Sequence, residues 1–223
     1  MAITAHSQRT ALLEQLAQLC HGRGPQRDTP AAAPSGFPDL DASLPGGGWP
    51  VGAIAELLSD AFGIGELGLL LPALAHLARA GRYIAWISPP FVPYAPALAA
   101  RGLPLERMLL IRTHTLQESL WAAEQALRCP AIGAVLGWPA YIVDKNVRRL
   151  QLAAQAGGSL GVLYRPAEAA QQASPAALRL RLHAAADGIV VEIHKSRGGR
   201  TGQRLHCRSA DAVAVHPLSA AGA

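Results

Sequence analysis

The segment with the clearest chemical pattern is a glycine-containing turn between an apolar strand and a leucine-rich helix. Ala53–Leu58 is short and apolar, and the leucines from Leu67 onward recur at helical spacing. A turn of the form G-x-x-x-x-G-K-[ST] binds nucleotides, because its amides and lysine hold phosphates and its hydroxyl ligates Mg²⁺. The pattern therefore predicts a turn with the shape of a nucleotide-binding loop at residues 60–67.

The residues that would do this chemistry are missing from the turn. If Gly65 is the second glycine, Glu66 takes the lysine position and Leu67 the hydroxyl position. A carboxylate repels a triphosphate, and leucine cannot bind a metal ion. We therefore predict a degenerate loop that serves only the strand–helix connection. Its residues are Asp60, Gly63, Gly65, Glu66 and Leu67.

Two other requirements of nucleotide hydrolysis also fail. A carboxylate that holds Mg²⁺ is expected at the end of a later core strand, but the best candidate, Ala131–Pro139, ends in Gly137 and Trp138. The segment Ser88–Pro93 offers no acid that could activate water. We expect no catalytic residue, no metal, no cofactor and no ATPase activity.

A second candidate site is the glycine-rich basic segment near the carboxyl end. Its cations are spaced by Gly, Ser and Thr, so the segment could follow a nucleic-acid backbone through phosphate contacts. From Arg148 onward, ten basic residues face four acidic ones. A solvated hairpin tip would also explain the pattern, but we favour DNA binding. The predicted DNA-binding residues are Lys195, Arg197, Arg200, Arg204 and Arg208.

The elements that position these sites follow a regular order. Strands alternate with helices from Ala53 to Tyr164, which is typical of βαβ units and a mainly parallel sheet. Strict alternation of apolar and polar residues begins at Leu178 and predicts half-exposed antiparallel strands. These strands are expected at Leu178–Leu182, Ile189–His194 and Gln203–Cys207. The predicted fold class is α/β, with a mainly parallel sheet finished by C-terminal antiparallel strands.

An amphipathic helix, Thr10–His21, precedes a linker that is rich in Pro and Gly, Gly22–Gly36. The helix either packs back on its own domain or docks on another chain, and the pattern leaves both open. Its candidate partner-binding residues are Leu12, Leu13, Leu16 and Leu19. We divide the chain into a helix and linker at 1–36, a domain at 37–208 and a tail at 209–223.

The composition fits a single domain in the cytoplasm. Half of the 223 residues are hydrophobic, and the net charge is +5. Every long apolar run is interrupted, so none reaches the roughly 20 residues that a membrane span needs. The first residues show no signal-peptide pattern. We expect a cytoplasmic protein, associated with the nucleoid through DNA.

The order of elements resembles the RecA core, and several short strings resemble more narrowly the ImuA family, within the superfamily that holds RecA and SulA. The resemblance covers about residues 35–208. The strings are LPGGGWPVG from Leu44, GIGEL from Gly63, LLLPAL from Leu69, PP from Pro89, PYAPAL from Pro93, LWAAEQAL from Leu120 and LQLAA from Leu150.

The resemblance implies a RecA-like P-loop NTPase-type core with a degenerate nucleotide loop. It also implies a non-catalytic adaptor in SOS-induced translesion DNA synthesis and mutagenesis. The partners that it implies are an ImuB-like polymerase homologue, RecA and a replicative-type error-prone polymerase. One alternative is a SulA-like inhibitor of cell division that binds the tubulin-like division protein, and a second is an atypical DNA-dependent ATPase.

Overall fold

The computed structural model describes residues 2–20 and 32–208, with side chains of the first helix described for residues 10–19. The helices are α1 (Ala2–Cys20), α2 (Pro38–Ser43), α3 (Leu71–Arg79), α4 (Ala95–Ala100), α5 (Leu116–Arg128) and α6 (Asp144–Gly157). The strands are β1 (Ala32–Ala33), β2 (Trp49–Pro50), β3 (Ile54–Ser59), β4 (Tyr83–Ile87), β5 (Met108–Ile111), β6 (Ile132–Gly137), β7 (Leu160–Pro166), β8 (Leu178–Ala185), β9 (Gly188–Ser196) and β10 (Arg204–Arg208). Short 3₁₀ turns lie at Leu105–Arg107 and Ala167–Gln171.

One eight-stranded sheet, in the order β10-β9-β8-β3-β7-β6-β4-β5, organises the chain. The strands from β8 to β5 in this order are parallel, and β9 and β10 are antiparallel additions at one end. The predicted mainly parallel sheet with antiparallel C-terminal strands is therefore present. A separate antiparallel pair joins β1 to β2.

Helices cover both faces of the parallel strands, which explains why these strands are continuously apolar. On one face, the leucines of α3 pack against Leu57, Trp86 and Leu136. On the other face, α5 and α6 pack against Ile54 and Ile132. The central strands β3 and β6 are almost wholly buried between these two layers.

The helix α1 packs back on its own domain. Leu12 and Leu16 are buried in the core cluster that contains α5 and α6, while Leu13 is 45% exposed. Of the two possibilities that the sequence left open, the structure therefore shows the first. The tail 209–223 and most of the predicted linker lie outside the described residues, so the proposed division of the chain stays a prediction.

The triple glycine of the segment before β3 allows a close backbone approach. Gly46 and Gly47 have positive φ angles of 80° and 78°. A Cβ atom on Gly48 would lie 2.2 Å from the carbonyl oxygen of Ala33. Only glycine lets β1 and β2 pair at this distance, and their pairing buries Trp49 completely.

A buried ion-pair cluster joins three neighbouring strands. The Glu56 carboxylate on β3 is fully buried and accepts hydrogen bonds from Arg165 of β7 at 2.8 Å and Arg179 of β8 at 2.7 Å. The Ser174 hydroxyl donates a third bond to it at 2.9 Å. Arg179 stands directly opposite Glu56 in the parallel pairing of β3 with β8. Although Arg179 alternates with leucines along β8, it is not an exposed cation, because Glu56 neutralises its charge inside the protein.

Among the described residues, no helix is both long and apolar enough to cross a membrane.

We predict that Glu56→Gln lowers the free energy of unfolding by about 3–5 kcal/mol, because two buried guanidinium groups lose their counter-charge. Urea unfolding followed by circular dichroism measures this loss. Glu106→Gln is the matched control, since Glu106 is exposed and forms no ion pair within the described residues. A loss below about 1 kcal/mol for Glu56→Gln would contradict the structural role of the cluster.

Candidate functional site

The carboxyl ends of the parallel strands meet at one edge of the sheet, where α/β proteins usually bind their ligands. The segments that follow β3, β4 and β6 lie there, at residues 60–70, 88–94 and 138–143. The predicted degenerate loop is the first of these three segments.

The loop closes on itself through the glutamate that replaces the lysine. The Glu66 Oε1 atom accepts a hydrogen bond of 2.9 Å from the backbone N–H of Gly63. Gly63 and Gly65 have positive φ angles, 79° and 102°, that other residues rarely adopt. A side-chain carboxylate therefore occupies a loop amide that a phosphate oxygen would use in a working nucleotide loop.

The helix after the loop starts later than predicted. Leucine spacing predicts a helix from Leu67, but α3 begins at Leu71, and Pro72 sits in its first turn. Proline favours that position because its fixed φ suits the first turn and its missing N–H costs nothing there. Residues 60–70 are therefore a longer irregular segment than a nucleotide-binding loop of this spacing would be.

Aromatic side chains fill the space beneath the loop. Trp138, after β6, stacks between Trp86 of β4 and Tyr164 of β7, with ring centroids 5.9 and 4.9 Å apart. Trp86 and Tyr164 are buried, and Trp138 is partly buried. Burial, and to a smaller extent the nearby Glu66 carboxylate, raise the pKa of Tyr164 well above its ordinary value. The stack is part of the core.

Above this stack lies an exposed apolar surface that we call the aromatic rim: Phe62, Phe91, Val92 and Tyr94. Their exposed fractions are 55%, 69%, 73% and 72%. The Phe62 and Phe91 rings meet edge to face, with centroids 6.1 Å apart. The rim surrounds a cavity of about 220 Å³ whose walls also include Glu66, Trp86 and Tyr164. Clustered exposed aromatic residues of this kind mark surfaces that bind other proteins.

Our interpretation of the sequence missed the rim as a site. Phe62 and Phe91 lie in turns rich in glycine and proline, outside any predicted strand or helix. The available signal was therefore the presence of large apolar residues where hydrophobic periodicity gives them no core to face. Phe62 follows β3 and Phe91 follows β4. These two strands are parallel and have two strands between them in the sheet, so the segments after them lie at the same edge.

The structure does not gather the predicted DNA-binding cations into one free surface. The Lys195 ammonium donates to the carbonyl of Ser174, and Arg197 donates to that of Pro175 at 3.1 Å. Arg204 pairs with Glu192 at 2.8 Å. Arg200 and Arg208 are exposed. Burial and the charge of Arg197 lower the pKa of Lys195. Lys195, Arg197 and Arg204 thus bond within the protein. The DNA-binding role stays a prediction.

The helix face predicted to bind a partner is largely covered. Leu12 and Leu16 are 9% and 5% exposed, and Leu19 packs partly against the same cluster. Leu13 alone of the four is well exposed. In this structure the apolar stripe therefore packs against the chain's own core. Partner binding by this helix stays a prediction.

No group of three or more His, Cys, Asp or Glu residues within the described parts of the chain could hold a metal ion.

Comparison with known proteins identifies the family. The family described as cell division inhibitor SulA matches residues 52–161. Several proteins named cell division inhibitor SulA are similar to this chain. In Edwardsiella piscicida the relative is 37% identical over 100 residues, which is 45% of this chain and 60% of the relative. The relative in Photorhabdus laumondii is 32% identical over 118 residues, which is 52% of this chain and 67% of the relative. The relative in Pectobacterium atrosepticum is 32% identical over 133 residues, which is 59% of this chain and 79% of the relative.

This chain belongs to the SulA family. Its alignment spans only about three fifths of the Edwardsiella relative, whereas it spans nearly four fifths of the Pectobacterium one. The matched region runs from just before β3 to the start of β7 and so contains all three segments of the carboxyl edge.

The assignment to the ImuA family is wrong, because the relatives found belong to SulA. Six of the seven strings that supported it lie wholly inside the matched SulA region. Short apolar strings in similar elements did not separate the two families. The role in translesion synthesis and mutagenesis, and the partners ImuB-like homologue, RecA and error-prone polymerase, are withdrawn with that assignment.

The predicted RecA-like P-loop NTPase core is corrected for the same reason, since the matching family is SulA. The α/β architecture, with its mainly parallel sheet, is as predicted. Alternation of strands and helices is shared by many α/β families and does not establish a nucleotide-binding core. The loop geometry at Gly63 and Glu66 agrees with this correction.

We predict that Tyr164→Phe leaves the free energy of unfolding unchanged or raises it by up to about 1 kcal/mol, because a buried hydroxyl without a hydrogen-bond partner is removed. Chemical unfolding compares it with Tyr141→Phe, which alters an exposed tyrosine and should change nothing. A loss above about 1 kcal/mol in Tyr164→Phe would show that this hydroxyl has a partner in the folded protein.

Proposed function

We propose that this chain inhibits cell division by binding the tubulin-like division protein through the aromatic rim, without catalysing a reaction. Two kinds of support converge on it. Its relatives are named cell division inhibitors. The carboxyl edge, where an enzyme of this architecture would bind its substrate, instead presents exposed aromatic side chains over a filled interior.

The observation that carries the proposal is the exposure of the rim. Phe91, Val92 and Tyr94 are each about seven-tenths exposed in the segment between β4 and α4, although large apolar side chains are normally withdrawn from water. Burial of such side chains against a partner would remove apolar surface from water on both proteins. Aromatic residues are also the commonest sources of binding energy at the centres of protein interfaces.

The absence of catalysis belongs to the proposal. The Glu66 carboxylate lines the cavity under the rim, and it is bonded to a loop amide. A triphosphate entering the cavity would meet this negative charge and an aromatic floor. The cavity therefore favours an apolar protein side chain over a nucleotide. Association with the nucleoid depended on DNA binding and stays a prediction with it.

We predict that Phe91→Ala and Tyr94→Ala each weaken binding to the purified division protein at least about tenfold, since each removes a rim side chain of the kind that dominates interfaces. Calorimetry or interferometry measures the dissociation constants. Leu152→Ala is the matched control, because Leu152 is 62% exposed on α6, across the sheet from α3. When the same variants are produced in dividing cells, the variant that binds the division protein most weakly should cause the least filamentous growth.

Equal binding by the rim variants, the control and the unaltered chain would exclude the rim as the docking surface. Failure of the unaltered chain to bind the division protein would refute the proposed function as a whole.

We predict that the purified chain hydrolyses ATP no faster than the background rate, with or without Mg²⁺, because the loop lacks a phosphate-binding lysine and no carboxylate directly follows β6 to hold the metal ion. A phosphate-release assay measures this. Magnesium-dependent turnover that is lost in Glu66→Gln would contradict the prediction.

A further inference from the structure

A second cavity adjoins the rim and is larger, at about 330 Å³. It lies between α4, residues 65–69 before α3, and the ends of β9 and β10. Its walls are mainly apolar and include Phe37, Leu71, Leu98 and Ile189. We call this cavity the apolar groove. Leu67 and Tyr94 line both the groove and the cavity under the rim, so the two form one continuous depression.

The groove has a single charged residue, Arg101, among the described residues that line it. Arg101 follows α4 directly, and its guanidinium makes no hydrogen bond or ion pair with any described residue. The arginine of the neighbouring helix differs, since Arg79 donates to the carbonyl of Gly102 at 2.9 Å. An unpaired guanidinium at the edge of an apolar groove is a ready partner for a carboxylate.

The two ends of the depression carry opposite charges. Glu66 lies in the cavity under the rim, and Arg101 lies in the apolar groove. A carboxylate on an incoming segment would be repelled at the first end and attracted at the second. The charge pattern therefore favours one direction for a segment that crosses both cavities.

We propose that the apolar groove binds an apolar segment of the division partner that carries a carboxylate, with the carboxylate on Arg101. This inference rests on the proposed function and adds to it the chemistry and direction of the partner segment. Apolar side chains of the segment enter the groove beside Leu98 and Ile189, while the rim holds the neighbouring part of the same segment. The ion pair gains strength because docking shields it from water.

The test uses two substitutions, one that changes the charge of the groove and one that fills its space. Arg101→Glu reverses the charge, and Ala97→Trp places a large ring in the groove, because Ala97 is exposed and lines it. Each has a matched control outside the groove. Arg148→Glu reverses an exposed charge on α6, and Ala99→Trp adds the same ring to an exposed position of α4 that does not line the groove.

We predict that Arg101→Glu and Ala97→Trp weaken binding to the purified division protein at least about tenfold, while both controls stay within about twofold of the unaltered chain. Raising the ionic strength from about 0.05 M to about 0.5 M should weaken binding by the unaltered chain more than binding by Arg101→Glu, since the screened ion pair is missing in the variant. Circular dichroism and unfolding midpoints that match those of the unaltered chain confirm that the variants fold.

The outcomes separate this inference from the proposed function. Weaker binding by the rim variants, with normal binding by Arg101→Glu and Ala97→Trp, overturns the groove and leaves the proposed function standing. No binding by the unaltered chain overturns both. A change of oligomeric state in Arg101→Glu with unchanged partner affinity identifies a second copy of the chain as the occupant of the groove. Tighter partner binding after removal of residues 209–223 identifies the chain's own tail as the occupant. Either result overturns the inference.

Discussion

The fold depends on one buried carboxylate that holds two arginines. Glu56 lies in the strand at the centre of the sheet, and it receives Arg165 from one neighbouring strand and Arg179 from the other. The second guanidinium of this cluster also donates to the carbonyls of Ala169 and Gln172, in the segment that connects β7 with β8. The charges therefore fix the position of this crossover, after which the chain turns into antiparallel strands. Removal of the carboxylate would leave two cations in an apolar interior.

The same arrangement leaves the carboxyl edge of the sheet free for binding. With the strands held in parallel, the segments after β3, β4 and β6 meet at one place. The Trp86–Trp138–Tyr164 stack fills the interior there, and Glu66 occupies the loop amide. The apolar side chains above this stack remain at the surface as the aromatic rim. A site of this form suits protein binding better than turnover of a charged nucleotide.

Much of the fold was predictable because hydrophobic periodicity reports burial directly. The first core strand and the three C-terminal strands lie within a few residues of their predicted positions, and the change from parallel to antiparallel strands is present. The family was not predictable from the same pattern, since the order of elements and short apolar strings are shared between families. The surroundings of the basic segment were not predictable for another reason. Composition shows how many cations the segment has, but only the structure shows that Lys195, Arg197 and Arg204 bond within the protein.

The sequence by itself determined the alternation of strands and helices and the presence of Glu66 and Leu67 where a nucleotide loop has a lysine and a hydroxyl, because both are properties of neighbouring residues. Only the tertiary structure decided which charges are buried together and which apolar side chains remain exposed. Glu56 is more than 100 residues from both Arg165 and Arg179 along the chain, yet strand pairing brings both guanidinium groups within hydrogen-bond distance of its carboxylate. The aromatic rim arises in the same way, from turns that are distant in sequence and adjacent in space because the strands before them are parallel.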